Sequence, residues 1–192
     1  MKYDIQSIIN RNDAGELLEF VFFWGHHAKP NQVTKACFSQ WFPCFFEADG
    51  TTYNCAEQYM MAEKARVFGD DETRYKILAS SDPKVIKELG REVKNFTVDK
   101  WVAVSKDIVV KGNLHKFAQN PQLLQFLQDT GNKVLVEASP YDLIWGIGMR
   151  ESDKSVNNPH NWKGQNLLGF ALMEVRDVLL YEQTKNDDER KL

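Results

Sequence analysis

An acid and an amine share one face of a short stretch of this chain. Asn54-Cys-Ala-Glu-Gln-Tyr-Met-Met-Ala-Glu-Lys64 puts Glu57, Met60/Met61 and Lys64 at i, i+3/i+4 and i+7, a single stripe at about 3.6 residues per turn. A carboxylate so placed can stabilise a developing positive charge or position water. An amine so placed can form or exchange an imine once burial or nearby cations lower its pKa. Lys and Glu are seldom buried unless paired, so the stripe either skirts solvent or lines a polar cavity. A plainer reading stands beside the chemical one: an amphipathic surface helix with Tyr59 and a methionine packed inward. Asn54 is then its N-cap, and Glu57, at the third helical position, closes a capping box.

A second carboxylate, Asp142, stands in Tyr-Asp-Leu-Ile-Trp-Gly-Ile-Gly over 141–148. The stretch is too rich in glycine and aromatics for a good helix and reads as a site loop. Gly146 and Gly148 permit close backbone approach, and Trp145 offers a flat face. Trp145 is either a pocket wall or a hydrophobic plug. Just before it, Lys133 to Ala138 reads as a central strand with Val134 and Val136 on one face and Leu135 and Glu137 on the other. Glu137 at the strand end asks for a partner, with Arg176 or a backbone amide as structural candidates.

The elements that must position these groups follow from the pattern. Leu17 to Trp24, aromatic and β-branched and ending at Gly25, predicts a buried strand. Asp49-Gly50 between apolar runs predicts a hairpin leading into the Glu57 helix, which runs to about Phe68. Short helices follow over 71–79 and 82–90, the second with Asp82 as cap and Pro83 at its first position. A longer helix begins near Val98, with Trp101, Val104, Ile108, Leu114 and Phe117 as its apolar stripe and Lys106 elsewhere on it. Helices over Pro121–Gln128 and from Phe170 to about Glu182 complete the set. Residues 1–15 read as an N-terminal extension that packs or frays, 16–183 as the domain, and 184–192 as a charged, mobile tail.

The 192 residues, 43% apolar and 27% charged, suit one globular domain. No apolar run approaches the roughly 20 residues that span a bilayer, and residues 1–10 lack a basic patch followed by an apolar core, so the expectation is a soluble, cytoplasmic protein with no membrane partner. Cys37, Cys44 and Cys55 fit neither CxxC nor a zinc ribbon, and the four histidines have no ligand spacing, so no metal is expected. A net charge of −3 argues against a broad grip on nucleic acid. The charge is uneven: 84–116 carries seven Lys and Arg91 against Glu88, Glu92, Asp99 and Asp107. A solvated face explains that, and so does a phosphate-bearing small ligand.

Taken together, Phe38-Ser39-Gln40-Trp41-Phe42, Tyr53-x3-Glu57-Gln58-Tyr59-x4-Lys64, Gly90-Arg91, Trp101, Lys116-Phe117, Leu135-Val-Glu-Ala-x3-Asp142-x2-Trp145-Gly-x-Gly148 and Gly164-x-Asn166-x-Leu168-Gly169-x2-Leu172-Met173-x2-Arg176 closely resemble the NADAR family, also called YbiA-like. The resemblance spans about 22–180, with its motifs in order. Two departures stand out. The family often has Phe-Ser-Asn-Phe where this chain has Phe38-Ser39-Gln40-Trp41, and Glu-His-Tyr where it has Glu57-Gln58-Tyr59. The chain also has a longer segment before Cys37, which could supply a wall or lid.

The resemblance implies an α+β fold, a predominantly α-helical single domain with a small β-sheet, and an N-glycosidase needing no cofactor. Its implied substrates are ribosylamino-pyrimidine phosphates of riboflavin biosynthesis, or ADP-ribosylated guanine, either as a small molecule or carried on nucleic acid. Glu57, Asp142 and Lys64 are the catalytic candidates. Phe38, Ser39, Gln40, Tyr59, Glu137, Gly146, Gly148 and Asn166 are candidates for substrate binding. Trp101 and Trp145 are candidates for stacking on the base, and Arg91, Lys106 and Lys116 for phosphate contacts. The alternative is a non-catalytic module that binds ADP-ribose or a related nucleotide. Oligomeric state is not legible.

Overall fold

The computed structural model describes residues 2–27 and 32–189, apart from the side chains of 186–188. Its elements are α1 (Ile5–Asp13), β1 (Phe20–Phe23), β2 (Phe46–Ala48), β3 (Thr51–Tyr53), α2 (Ala56–Val67), α3 (Asp71–Ala79), α4 (Pro83–Arg91), α5 (Val98–Ala118), α6 (Pro121–Gln128), β4 (Val134–Glu137) and α7 (Leu167–Glu189), with 3-10 turns at Lys35–Phe38 and Pro159–Asn161. Helix dominates, giving the α+β class expected. Two compact units divide the chain: Gln40–Asn120, and Met1–Ser39 with Pro121–Leu192.

In the unit Gln40–Asn120, α3, α4 and α5 all pack on α2. The β2–β3 hairpin pairs Phe46 with Tyr53. It turns on Asp49 and Gly50, both at positive φ (50° and 73°), the conformation that makes Asp-Gly a hairpin signal. Every residue of α2 from Ala56 to Glu63 is buried, so the helix is enclosed rather than amphipathic. This overturns the surface-helix reading and removes the need for an apolar stripe.

The start of α2 also differs from the expected capping box. Its N-cap is Cys55, with no side-chain cap bond, and the Asn54 N–H donates to Gln58 Oε1 at 2.8 Å. Gln58 Nε2 in turn donates to the carbonyls of Ile77 (3.1 Å) and Ser80 (2.9 Å). The glutamine that replaces the family's histidine is thus a buried clamp between the start of α2 and the end of α3.

In the other unit, β1 and β4 run parallel, from Phe20 opposite Val134 to Phe23 opposite Glu137. Val134, Leu135 and Val136 are all fully buried, as expected for a parallel pair covered on both faces, and α7 packs on β4. Residues 2–15 are a docked element rather than a fraying arm. Asp4 and Ser7 form a reciprocal capping box on α1, Ile8 is fully buried, and Tyr3 Oη donates to Asp177 at 2.7 Å. The strand begins at Phe20 rather than at Leu17, which is exposed. Helix α7 starts three residues before Phe170 and continues to Glu189; residues 190–192, like the loop around Pro30 and Asn31, lie outside the described residues. Among the described residues no helix is long and apolar enough to cross a membrane.

Candidate active site

Glu57 occupies the first turn of α2 and is only 6% exposed. Its N–H is one of the amides a helix start leaves without an intrahelical acceptor, and it donates to the Gln40 carbonyl at 2.9 Å. The positive end of the helix dipole favours a carboxylate at this turn. Two turns on, Lys64 Nζ donates to the Gly90 carbonyl at 2.6 Å. It lies 4.2 Å from the Phe96 ring centroid and 5.7 Å from that of Trp101. Burial pushes the Lys64 ammonium below its usual pKa, and the charge of Glu57 opposes that shift. The acid and amine of the sequence stripe therefore sense each other.

A second cation is enclosed nearby. Lys116 on α5 is fully buried, with Nζ 5.8 Å from the Phe42 ring centroid. Burial pushes the Cys55 thiol up to about 11; the Gln58 backbone pulls it down, Glu57 adds to the rise and Lys116 opposes it. Glu57 and Lys116 thus both act on the residue that caps α2.

Gln40 Oε1 accepts from Asn113 Nδ2 at 3.1 Å. Tyr59 is core: its ring lies edge-on to Tyr53 at 5.1 Å and fills the room left by Gly112, where an added Cβ would sit 2.5 Å from Cδ1. Trp101 and Lys106 are partly exposed on α5, and Arg91 is exposed at the end of α4, next in sequence to the carbonyl that holds Lys64.

The candidates of the other unit gather at one edge of β4. In a parallel pair alternate residues bond to opposite sides, and Val134 and Ala138 donate toward β1 (2.8 Å each, to Glu19 and Phe23 carbonyls). The far edge is taken by Asn166, whose Oδ1 accepts from the Glu137 N–H (2.9 Å) and whose Nδ2 donates to the Leu135 carbonyl (2.9 Å). Ile147 N–H donates to the Glu137 carbonyl at 2.9 Å. Asn166 therefore stands where a neighbouring strand would, fully buried and at φ 54°, a conformation asparagine tolerates better than most residues.

Asp142 organises the loop: its Oδ1 accepts from the N–H groups of Ile144 (2.9 Å) and Trp145 (2.7 Å), and its carbonyl accepts from Gly148 (3.1 Å). Gly148, at φ 65°, allows the turn that closes this bond. Gly146 is buried beside the Glu137 carbonyl. Trp145 is half-buried, its carbonyl accepting from Leu168 N–H at 3.1 Å at the start of α7. Glu137 is partly exposed at the end of β4. Its suggested partner Arg176 is held elsewhere, by Thr130 Oγ1 (2.7 Å) and the Lys133 carbonyl (3.0 Å). Phe38 is fully buried against Phe23 and Phe126, and Ser39 ends the 3-10 turn.

Sequence reasoning missed Asn113 and Phe96, and it named Phe42 only as the end of a motif. Asn113 had a signal: it falls in the buried phase of α5, beside Gly112 and one turn before Lys116, where an apolar residue would be expected. Among the described residues no three His, Cys, Asp or Glu side chains are grouped to hold a metal.

Comparison with known proteins places these residues in context. The NADAR domain model matches residues 22–180. "N-glycosidase R617" of Acanthamoeba polyphaga mimivirus is 48% identical over 165 residues, covering 83% of this chain and 95% of that protein. "N-glycosidase YbiA" of Escherichia coli is 31% identical over 137 residues, 71% of this chain and 77% of that protein. The solved NMR structure of E. coli YbiA superposes with a TM-score of 0.70 at 27% identity, covering 86% and 88% of the two chains. "Riboflavin biosynthesis protein VVA0006" of Vibrio vulnificus is 30% identical over 141 residues, 73% of this chain but 35% of that protein. With its family motifs enclosed in the same fold, the chain belongs to the NADAR family, whose similar curated members include N-glycosidases.

Proposed function

We propose that this N-glycosidase hydrolyses the bond between ribose C1 and nitrogen in a phosphorylated ribosyl compound. The substrate is either a ribosylamino-pyrimidine phosphate, in keeping with the name of the Vibrio relative, or ADP-ribosylated guanine. The observation that carries this reading is the buried Glu57 at the start of α2, with Lys64 two turns along the same helix and electrostatically linked to it. As the C1–N bond breaks, its electron pair leaves with nitrogen and positive charge develops on C1 and the ring oxygen. A fixed carboxylate in a dry surrounding stabilises that charge far better than water does. Water then adds to C1 and a proton passes to the departing nitrogen. Within the same unit as Glu57, Trp101 is the candidate for stacking on the base, and Arg91 and Lys106 are exposed enough to meet phosphate; Asp142 is a second candidate carboxylate, carried by the other unit.

The depressed Lys64 pKa favours one variant of this route. A ribosylamine in its open-chain form is an imine at C1. The neutral Lys64 amine adds to C1, both of its protons pass to the base nitrogen, and the base leaves as an amine, with Lys64 bound to C1 as an imine. Water then releases the sugar and regenerates the amine.

The test is to incubate the protein in parallel with ribosylamino-uracil phosphate and ADP-ribosylated guanine and to follow base release by chromatography. Turnover of one of them is expected, and Glu57→Gln should fold normally with kcat lowered by about 10²–10³. Full activity in that variant would sink the assignment of Glu57. Borohydride reduction during turnover should fix the sugar on Lys64; an unlabelled lysine would leave direct hydrolysis as the route.

A further inference from the structure

The hydrogen bonds of Asn113 point beyond the residues assigned so far. Its Nδ2 donates to two acceptors, the Val109 carbonyl at 2.8 Å and Gln40 Oε1 at 3.1 Å. Its Oδ1 is buried and has no hydrogen-bond partner among the described residues. Rotating the amide would bring Oδ1 against a backbone carbonyl, which can only accept. The orientation is therefore set by Val109, at the expense of one unsatisfied buried acceptor. Native structures rarely leave such an atom unless the arrangement serves something else.

The consequence falls on Gln40. Because Asn113 presents a donor, the Gln40 amide must turn its oxygen toward Asn113, which leaves its NH2 on the opposite side. That NH2 takes no part in the bond to Asn113, and the side chain retains 9% exposure where Asn113 retains none. The same residue's backbone carbonyl holds the Glu57 N–H at 2.9 Å. An oriented donor is thus fixed on the residue that anchors the proposed catalytic carboxylate.

We infer that Asn113 is a positioning residue for the N-glycosidase reaction, holding the Gln40 amide so that its NH2 donates to an oxygen acceptor of the bound ribosyl substrate. The inference rests on the function proposed above. It also gives a reason for glutamine at position 40: with one methylene more than the asparagine often found in the family, the amide spans the gap to α5.

A double-mutant cycle tests it. Gln40→Glu keeps the oxygen that Asn113 needs and removes only the donor, and Asn113→Ala removes the orienting group. Each should lower kcat/KM by about 10- to 100-fold. In the Gln40→Glu background Asn113→Ala should add less than about twofold, because the donor it orients is already gone. A merely structural Asn113 would give losses that multiply in the two backgrounds, and that result overturns the inference. If Asn113→Ala does not fold, 15N NMR of the wild type and of Asn113→Ser decides: ADP-ribose and ribose 5-phosphate are the probes. One of them should shift the Gln40 side-chain NH2 resonances in the wild type and leave them unmoved in the serine variant; equal shifts in both, or none in either, overturn it. Wild-type protein that turns over neither candidate substrate refutes the proposed function, and the NMR comparison then judges Asn113 separately.

Discussion

Replacing Asn166 should unfasten the edge of β4, and the cost can be worked out from its contacts. Its side chain satisfies the Glu137 N–H and the Leu135 carbonyl, each at 2.9 Å. Asn166→Ala strands both, at about 1–3 kcal/mol apiece. Alanine also tolerates φ 54° less well, adding about 1 kcal/mol. The sum, about 3–7 kcal/mol, is a large share of a typical domain's 5–15 kcal/mol and corresponds to a fall in Tm of roughly 6–28 °C at this chain length. Asn166→Gly loses the same bonds but accepts the backbone conformation, so it should be about 1 kcal/mol more stable than the alanine variant. Asn166→Asp adds a pH signature. The ionised carboxylate faces the Leu135 carbonyl, an acceptor, whereas its protonated form can donate to it. The folded-state pKa therefore lies above the unfolded one, and the stability contributed is present at low pH and lost as pH rises through the folded pKa. Urea unfolding at several pH values measures all three variants. An alanine variant within about 1 kcal/mol of wild type, or a glycine variant below it, would refute the view that Asn166 replaces a strand.

Two other perturbations probe the Gln40–Asn120 unit. Gly112→Ala brings a methyl within 2.5 Å of Tyr59 Cδ1, a rigid core ring, so it should destabilise by about 1–3 kcal/mol; a melt coincident with wild type would mean that α2 and α5 have slack. Lys64 should be labelled by an amine-reactive reagent at a lower pH than the exposed lysines, because burial favours its neutral form. Glu57→Gln should move that labelling midpoint lower still, since the Glu57 charge raises the Lys64 pKa; mass spectrometry reads the site, and an upward move contradicts the electrostatic link.

Much of the scaffold was legible because its punctuation is local. Asp49-Gly50 and Asp82-Pro83 each act through backbone preferences that need no tertiary context, and the hairpin and α4 fall where those residues put them. The start of α2 was misread for a physical reason. Asn54 and Glu57 satisfy the spacing of a capping box, but Gln58 reaches both the Asn54 N–H and the end of α3, and a contact to a distant helix leaves no trace in local spacing. Helix α7 outran its expected end because its charged residues read as a tail, whereas a helix already anchored on β4 can extend through polar sequence. In the site, residue types were legible and their loads were not. Asn166 and Asp142 stand in motifs, yet only the backbone groups around them reveal that one completes a strand edge and the other folds the loop.

That division bears on how the stripe of α2 can work. An amphipathic surface helix would leave Glu57 and Lys64 hydrated, with the Lys64 pKa near its ordinary value and a weak mutual field. Enclosure of α2 by three helices changes both terms together. It removes water from Lys64, which lowers its pKa, and it lets the Glu57 charge be felt across two helical turns, which limits the fall. The same enclosure demands that the helix start be held without relying on solvent, and the Gln40 carbonyl on the Glu57 N–H meets that demand. Weakening the burial of Lys64 is therefore predicted to act in a set direction. Phe96→Ala opens the aromatic side of the amine, 4.2 Å away, and should raise its labelling midpoint toward that of exposed lysines, opposite to the effect of Glu57→Gln. If both variants moved the midpoint the same way, desolvation and charge would not be the opposing forces that set this amine.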